Sequence, residues 1–193
     1  MKKDKGKLLI LDLDECLIHS VHKTQVSEMS YSFYENSFDI LDGMYRTMKR
    51  PHLEDFLNYA FDNFKVGVWT AASADYAVEI LKNIGVNESD LAFFYSEKNC
   101  TPKYDYGDGW GMGKIIYYKN ISKLKKRGFD MEKVLMIDDK PEYIDSYGNV
   151  IKIEPFYGDD SDCELLNMIK YLDLIKNKEN YRVIDKRSWK NSI

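Results

Sequence analysis

The chain has 193 residues, of which 44% are hydrophobic and 14% aromatic, so we expect a globular domain with a buried core rather than a disordered chain. Its net charge of −4, from 28 basic and 32 acidic side chains, gives no support for broad binding to nucleic acid or a membrane surface. The 3 cysteines are far apart, which favours reduced thiols. The N-terminus is charged and the apolar stretch after it is too short for a secretory signal or a membrane span, so we expect an intracellular protein, cytoplasmic or nuclear. We predict one domain over residues 1–178 and a polar, loosely attached tail over 179–193.

Apolar runs alternate with helical patterns along the chain. The run at 8–13 has apolar side chains on both faces, which is typical of a strand buried inside a parallel sheet. Similar patterns predict strands over 65–70, 91–95 and 134–137. Helical spacing predicts helices over 50–64, 73–84, 121–127 and 163–176. We expect short hairpins over 30–49 and a glycine-rich loop or flap over 97–114. Strands that alternate with helices indicate an α/β domain with a mostly parallel sheet.

Polar side chains follow three of the predicted strands, namely Asp12 with Asp14, Thr70, and Asp138 with Asp139. Because ligands bind beyond the carboxyl ends of parallel strands, one edge of the sheet should gather all three groups. Neighbouring carboxylates repel each other, and a cation between them relieves the repulsion. Hard oxygen ligands of this kind suit Mg²⁺. The alternative for Asp12 and Asp14 is that they cap the next turn.

Phosphoryl transfer needs donors and positive charge around the phosphoryl oxygens. Thr70 can supply its hydroxyl and its backbone N–H, and Lys119 can supply a cation. Taken singly, Thr70 is better explained as a helix N-cap or a strand end, and Lys119 as a solvated surface lysine.

The segment Asp12-Leu-Asp-Glu-Cys-Leu-Ile-His-Ser20 resembles the signature Asp-Leu-Asp-Glu-Thr-Leu-Val-His-Ser of the small phosphatases that act on the C-terminal domain of RNA polymerase II. These NLI-interacting-factor-like proteins belong to the haloacid dehalogenase superfamily. The similarity covers about residues 7 to 175 and continues, in the family's order, through 49–56, 68–72, 118–124, 134–143 and 156–166. It implies a single Rossmann-like haloacid dehalogenase domain, with a central mostly parallel sheet flanked by helices, a small β-hairpin insert and no large cap.

The resemblance also implies a role for each matching residue. Asp12 would attack phosphorus, and Asp14 would protonate the leaving oxygen and then activate water. The phosphoryl group would be held by Thr70, Ala71 and Lys119.

The implied cofactor is Mg²⁺, bound by the Asp12 carboxylate, the Asp14 backbone carbonyl and an acid of the pair Asp138 and Asp139. Asp139 is favoured as the direct ligand, with Asp138 orienting Lys119 or a water.

Two positions depart from the family's pattern. Cys16 stands where threonine is usual, and Asn120 stands where aspartate is usual. A thiol is a poorer hydrogen-bond partner than a hydroxyl, so support of the loop after Asp12 should be weaker. Neither departure removes a group that does the chemistry.

Three functions fit these residues. The resemblance favours a phosphatase whose partner is a phosphorylated protein or peptide, at phosphoserine or phosphothreonine. The same machinery would serve a phosphatase of a small metabolite or a nucleic-acid end, because only the loops select the substrate. A non-catalytic binding module is the third possibility, since a relative in mitochondrial protein import works as a receptor.

Overall fold

A computed structural model of the chain describes residues 6–25, 37–106 and 113–193. Its strands and helices are, in chain order, β1 (Leu8–Leu11), β2 (Ile18–His22), β3 (Ser37–Ile40), β4 (Tyr45–Lys49), α1 (Leu53–Asn63), β5 (Lys65–Trp69), α2 (Ala74–Asn83), β6 (Phe93–Tyr95), β7 (Thr101–Asp105), β8 (Lys114–Tyr118), β9 (Val134–Asp138), β10 (Val150–Lys152) and α3 (Glu164–Ile175). Five strands pair in parallel in the order β10-β9-β1-β5-β6. The prediction of an α/β domain with a central parallel sheet is confirmed.

The central strand β1 fixes which residues meet at the edge of the sheet. It lies between β5 and β9, with Leu11 opposite Val68 on one side and Ile137 on the other. The three strands therefore end level with one another. Asp12 follows at this edge, and its backbone N–H continues the ladder by donating to Ile137 O at 3.1 Å.

Both faces of the sheet are covered, which explains the unbroken apolar run of β1. Leu9 and Leu11 point into one buried cluster, and Leu8 and Ile10 point into the other. This alternation is the two-residue period of an extended chain. Helices α1 and α3 pack against each other over the first cluster.

Two smaller antiparallel sheets lie outside the central one. The first has the order β2-β4-β3, and the hairpin β3–β4 lies within the predicted range 30–49, while residues 26–36 lie outside the described part of the chain. Strand β2 was not predicted. The second sheet pairs β7 with β8, so the predicted flap over 97–114 contains strand structure on both sides of residues 107–112, which are also not described.

Three other differences concern the second half of the chain. The helix predicted over 121–127 is a 3-10 helix, and it ends as expected at Gly128, whose φ of +85° suits glycine. Strand β10 was not predicted.

Residues 179–193 pack against the domain instead of being loosely attached, because Tyr181 and Trp189 are buried and Trp189 Nε1 donates to Lys152 O at 2.8 Å. The domain boundary at residue 178 stays a prediction. None of the helices in the described ranges has the length and apolar character needed to cross a lipid bilayer.

Candidate active site

Three carboxylates meet at the carboxyl edge of the parallel sheet. Asp12 follows β1, Asp138 is the last residue of β9, and Asp139 is the next residue of the chain. Each has an oxygen within 4.8 Å of an oxygen of the other two. All three residues are buried, at 6%, 2% and 7% exposure, so their charges are shielded only weakly by water.

Lys119 provides the buried positive charge of this cluster. Its Nζ donates to Asp12 Oδ1 at 2.6 Å and to Asp138 Oδ2 at 2.7 Å. The residue follows β8, and its backbone N–H donates to Tyr143 O at 2.9 Å, which fixes its position beside the sheet edge. The next residue, Asn120, donates from its side chain to the hydroxyl of the first residue of β7 at 3.0 Å. Asn120 therefore joins the start of the 3-10 helix to the flap. Its neutral amide places no negative charge beside Lys119.

The acids of the cluster outnumber its buried cation. Burial raises the pKa of Asp12 to about 8, although Lys119 acts in the opposite direction. Burial also raises the pKa of Asp139, whose Oδ2 lies 3.2 Å from the Nζ of the exposed Lys140. A divalent cation would relieve this excess of negative charge, and three hard oxygen donors suit Mg²⁺. The residues present therefore fit the expected metal.

Asp14 stands apart from the acid cluster. Its Oδ1 lies 2.5 Å from Tyr76 Oη, which is 2.6 Å from Ser20 Oγ, and Ser20 Oγ is 2.7 Å from Thr47 Oγ1. Burial raises the pKa of Asp14, and the Tyr76 hydrogen bond opposes that rise. The next residue, Glu15, has a φ of 59°, so the chain turns sharply after Asp14. Asp14 is thus held by an oriented hydroxyl chain that sequence reasoning missed.

Thr70 and Ala71 line the site from the end of β5. The Thr70 backbone N–H donates to Tyr95 O at 3.0 Å, so the prediction that it is free for a phosphate is wrong. The reason is that Thr70 continues the ladder between β5 and β6. Thr70 Oγ1 accepts from Ala72 N at 3.0 Å, which leaves the hydroxyl proton for another acceptor. Ala71 is exposed, and no described residue accepts from its N–H.

All seven residues predicted from the sequence line one cavity of about 90 Å³, namely Asp12, Asp14, Thr70, Ala71, Lys119, Asp138 and Asp139. The same cavity is lined by Tyr117, Lys140, Tyr143 and Ile144, which sequence reasoning missed. The sequence could have indicated Lys140 and Tyr143, because both follow closely after the acidic residues that end β9. A cavity of this size, lined by both acids and hydrogen-bond donors, can admit a phosphate group but buries little else.

The family model for NLI interacting factor-like phosphatases matches residues 7–182. The chain belongs to this family. It is 32% identical, over 91% of its length, to a CTD phosphatase-like protein, 355R of Invertebrate iridescent virus 3, and it covers 100% of that protein. It is also 32% identical, over 90% of its length, to CTD small phosphatase-like protein 2 of Dictyostelium discoideum, of which it covers 28%.

Solved structures of Fcp1, an RNA polymerase II CTD phosphatase, show the same fold. The fission yeast enzyme bound to beryllium fluoride superposes with a TM-score of 0.58 at 23% identity, over 92% of this chain and 53% of the other. Another Fcp1 structure gives 0.54 at 25% identity, over 92% and 52%. These structures confirm the expected fold, and the family match confirms the assignment as a phosphatase of this type.

The departure at Cys16 lies in a loop of this phosphatase that is well supported by other means. Burial raises the pKa of the Cys16 thiol, which disfavours the thiolate that a nucleophile needs. Arg50, which is 1% exposed, donates from Nη1 to Cys16 O at 3.0 Å. It also donates to both oxygens of Asp162, at 2.9 and 2.7 Å, and to Glu154 O at 2.9 Å. Arg50 thus joins the loop after Asp12 to the last part of the domain.

Proposed function

We propose that this member of the family is a Mg²⁺-dependent phosphomonoester hydrolase that works through an aspartyl-phosphate on Asp12. The observation that carries the proposal is the meeting of three buried carboxylates with the Lys119 ammonium at one edge of the sheet. Such a cluster favours a divalent cation, and the donors beside it favour an anionic substrate.

The first step joins Asp12 to phosphorus. An oxygen of its carboxylate forms a bond to the phosphorus atom while the bond from phosphorus to the substrate oxygen breaks. The Lys119 ammonium, the Thr70 hydroxyl and the Ala71 N–H would donate to the non-bridging oxygens, where negative charge is concentrated. This set of donors supports phosphoryl transfer over a general anion-binding role.

Asp14 would move the protons in both steps. Because burial raises its pKa, it holds a proton closer to neutral pH than an exposed aspartate does, and it can give that proton to the leaving oxygen. The resulting carboxylate then takes a proton from the water that attacks the aspartyl-phosphate. The bond between phosphorus and Asp12 breaks, and free phosphate leaves. Tyr76 would keep Asp14 oriented throughout.

We assign Mg²⁺ to the Asp12 carboxylate, the Asp139 carboxylate and the Asp14 backbone carbonyl. Asp138 is less suited to be a direct ligand, because its Oδ2 accepts from Lys119 and its Oδ1 accepts from a backbone N–H two residues along the chain at 2.8 Å. We therefore assign Asp138 to orienting Lys119. When bound, Mg²⁺ supplies the positive charge that keeps Asp12 ionised and offsets its repulsion from the phosphate.

The proposed substrate is phosphoserine or phosphothreonine in a protein. Both relatives named above are called CTD phosphatase-like or CTD small phosphatase-like, and the one from the virus is covered over its full length. The small catalytic cavity suits a single phosphate group whose carrier stays outside it. A small phosphorylated metabolite remains the competing substrate class, and an intracellular location, cytoplasmic or nuclear, is part of the proposal.

Hydrolysis of p-nitrophenyl phosphate, with and without Mg²⁺, tests the mechanism. We expect the wild type to turn over only with Mg²⁺ and both Asp12→Asn and Asp14→Asn to be inactive while still folded. Activity that persists in Asp12→Asn would exclude the aspartyl-phosphate. A panel of phosphopeptides and phosphorylated metabolites then tests the substrate, and a higher kcat/KM for the metabolites would overturn the protein assignment. No hydrolysis of any phosphate by the folded, metal-loaded wild type would favour the binding module.

A further inference from the structure

A second cavity, of about 560 Å³, lies beside the edge strand β10. Its lining includes four cationic residues, Lys152, Arg182, Lys186 and Arg187, and one acidic residue, Asp185. The cations therefore exceed the acid by three charges in a chain whose net charge is −4. Positive charge gathered around a cavity of an acidic protein attracts anions to that cavity.

Lys186 is the buried member of this group. It is 6% exposed, and its Nζ donates to Tyr181 O at 2.5 Å and to Ile184 O at 2.8 Å. Within the described ranges, its ammonium has no carboxylate at ion-pair distance. Burial lowers its pKa, and the charge of the neighbouring Asp185 acts in the opposite direction. A buried ammonium whose hydrogen-bond partners are neutral carbonyls is costly when the nearest acid is not at ion-pair distance, so an anion in the cavity would stabilise this lysine.

The two arginines add donors at the mouth of the cavity. Both are exposed, and the Arg187 guanidinium lies 5.9 Å from the centre of the Tyr147 ring, a contact that restricts its orientation. A guanidinium can give two parallel hydrogen bonds to a phosphate, which an ammonium cannot do. The chemistry of the lining therefore favours phosphate over a simple carboxylate.

The cavity is a neighbour of the catalytic one. Lys152 is the Cα partner of Asp138 in the pairing of β10 with β9. Pro141 lines the second cavity, while Lys140 and Tyr143, on either side of it in the 3-10 helix region, line the catalytic cavity. One short segment, Lys140 to Tyr143, thus contributes to the lining of both cavities.

A purely structural role explains part of this arrangement. Lys186 donates to the Tyr181 carbonyl, at the start of the turn Tyr181–Val183, and to the Ile184 carbonyl, just after it. These two bonds alone would stabilise the chain after α3. It does not explain why Lys152, Arg182 and Arg187 line the same space.

We propose that this cavity binds a phosphate group, with Arg182, Lys186 and Arg187 as its donors. The proposal rests on the proposed function, because the phosphate would come from a second phosphorylated position of the protein substrate. A free small molecule that carries phosphate is the other source of the same chemistry.

Binding of inorganic pyrophosphate without added metal, measured by calorimetry, tests the site. The variant is Arg182→Gln/Arg187→Gln, and the control is Lys125→Gln/Lys126→Gln, which removes two equally exposed charges from the 3-10 helix Ile121–Arg127. We expect the arginine variant to weaken the affinity by about ten-fold or more, and the control to leave it unchanged. Equal affinity in wild type and both variants overturns the proposal.

Kinetics on peptides with one and two phosphates distinguish the sources. A fall in kcat/KM of about ten-fold for the doubly phosphorylated peptide alone, in the arginine variant alone, supports the substrate as the source. Unchanged peptide kinetics together with weakened pyrophosphate binding overturn the substrate as the source and assign the site to a free ligand. Failure of the proposed function is seen separately, as a wild type that hydrolyses no phosphate but still binds pyrophosphate through the arginines.

Discussion

Replacing Lys119 by methionine removes the buried cation of the catalytic edge while keeping a side chain of similar length. The ammonium makes two charge-assisted hydrogen bonds, to Asp12 at 2.6 Å and to Asp138 at 2.7 Å, and only 5% of the residue is exposed. Loss of one partner from a buried ion pair costs about 3–5 kcal/mol. At about 2–4 °C per kcal/mol for a chain of this size, the Tm should fall by about 6–20 °C without metal.

Mg²⁺ should separate the two roles of Lys119. Added metal supplies positive charge to the acids, so it should restore most of the lost stability of Lys119→Met. It should not restore the lost donor to the phosphoryl group, and kcat should remain lower by about 10²–10³. The assays are thermal unfolding and p-nitrophenyl phosphate hydrolysis, each with and without Mg²⁺.

The matched control is Lys123→Met. Lys123 is exposed, lies four residues along the chain and, among the described residues, donates to a threonine hydroxyl at 3.1 Å. The Lys123→Met variant should keep the Tm and the kcat of the wild type. The reasoning is refuted if Lys119→Met keeps kcat within about five-fold of the wild type at saturating Mg²⁺.

Three further changes have definite expected results. Tyr76→Phe removes the bond that lowers the pKa of Asp14, so the basic limb of the rate profile should move to higher pH, with kcat/KM about ten-fold lower. Mg²⁺ binds ionised Asp12, whose pKa is raised to about 8, so calorimetry should show Mg²⁺ affinity that rises with pH up to that value. Gly67→Ala would bring a Cβ to 2.8 Å from the Phe93 ring, and urea unfolding should show a loss of about 1–3 kcal/mol.

Each of these changes has its own control. Tyr59→Phe removes a hydroxyl that donates to Asp173 at 3.0 Å, and it should leave the rate profile in place; an equal shift in both variants contradicts a special role for Tyr76. Asp12→Asn should reduce the pH dependence of Mg²⁺ affinity to the part that comes from Asp139, and an unchanged slope assigns the proton to a group other than Asp12. Gly6→Ala meets no atom within 4 Å, so equal stability of both glycine variants contradicts the packing argument.

The sequence was most informative where strands are buried on both faces. Such strands are apolar without interruption, so the first polar residue after them marks the strand end, as it does at Asp12, Thr70 and Asp138. Parallel pairing in register then brings these ends to one edge. Length and polarity along the chain were therefore sufficient for four of the five strands of the sheet and for placing Asp12, Thr70 and Asp138 at one edge.

The sequence was least informative where a residue acts through a distant partner. Arg50 bonds Asp162 at a separation of 112 residues, and Tyr76 bonds Asp14 at a separation of 62. Nothing in the local pattern of either residue indicates its partner. Strand β2 was missed for a different reason, because four of its five residues are only partly buried and two are histidines, which gives a weak alternation.

Negative charge at the catalytic edge opposes the binding of an anionic phosphate substrate. The chain is negative overall, and its catalytic edge gathers four aspartates, so the protein's own field repels the phosphate that it is proposed to bind. Attraction must then be local, from Lys119 inside the cavity, from Lys140 at its rim, and from the cationic cavity beside β10. Because salt screens exposed charges much more than buried ones, added salt should raise KM through Lys140 and the arginines while changing the contribution of Lys119 to kcat far less.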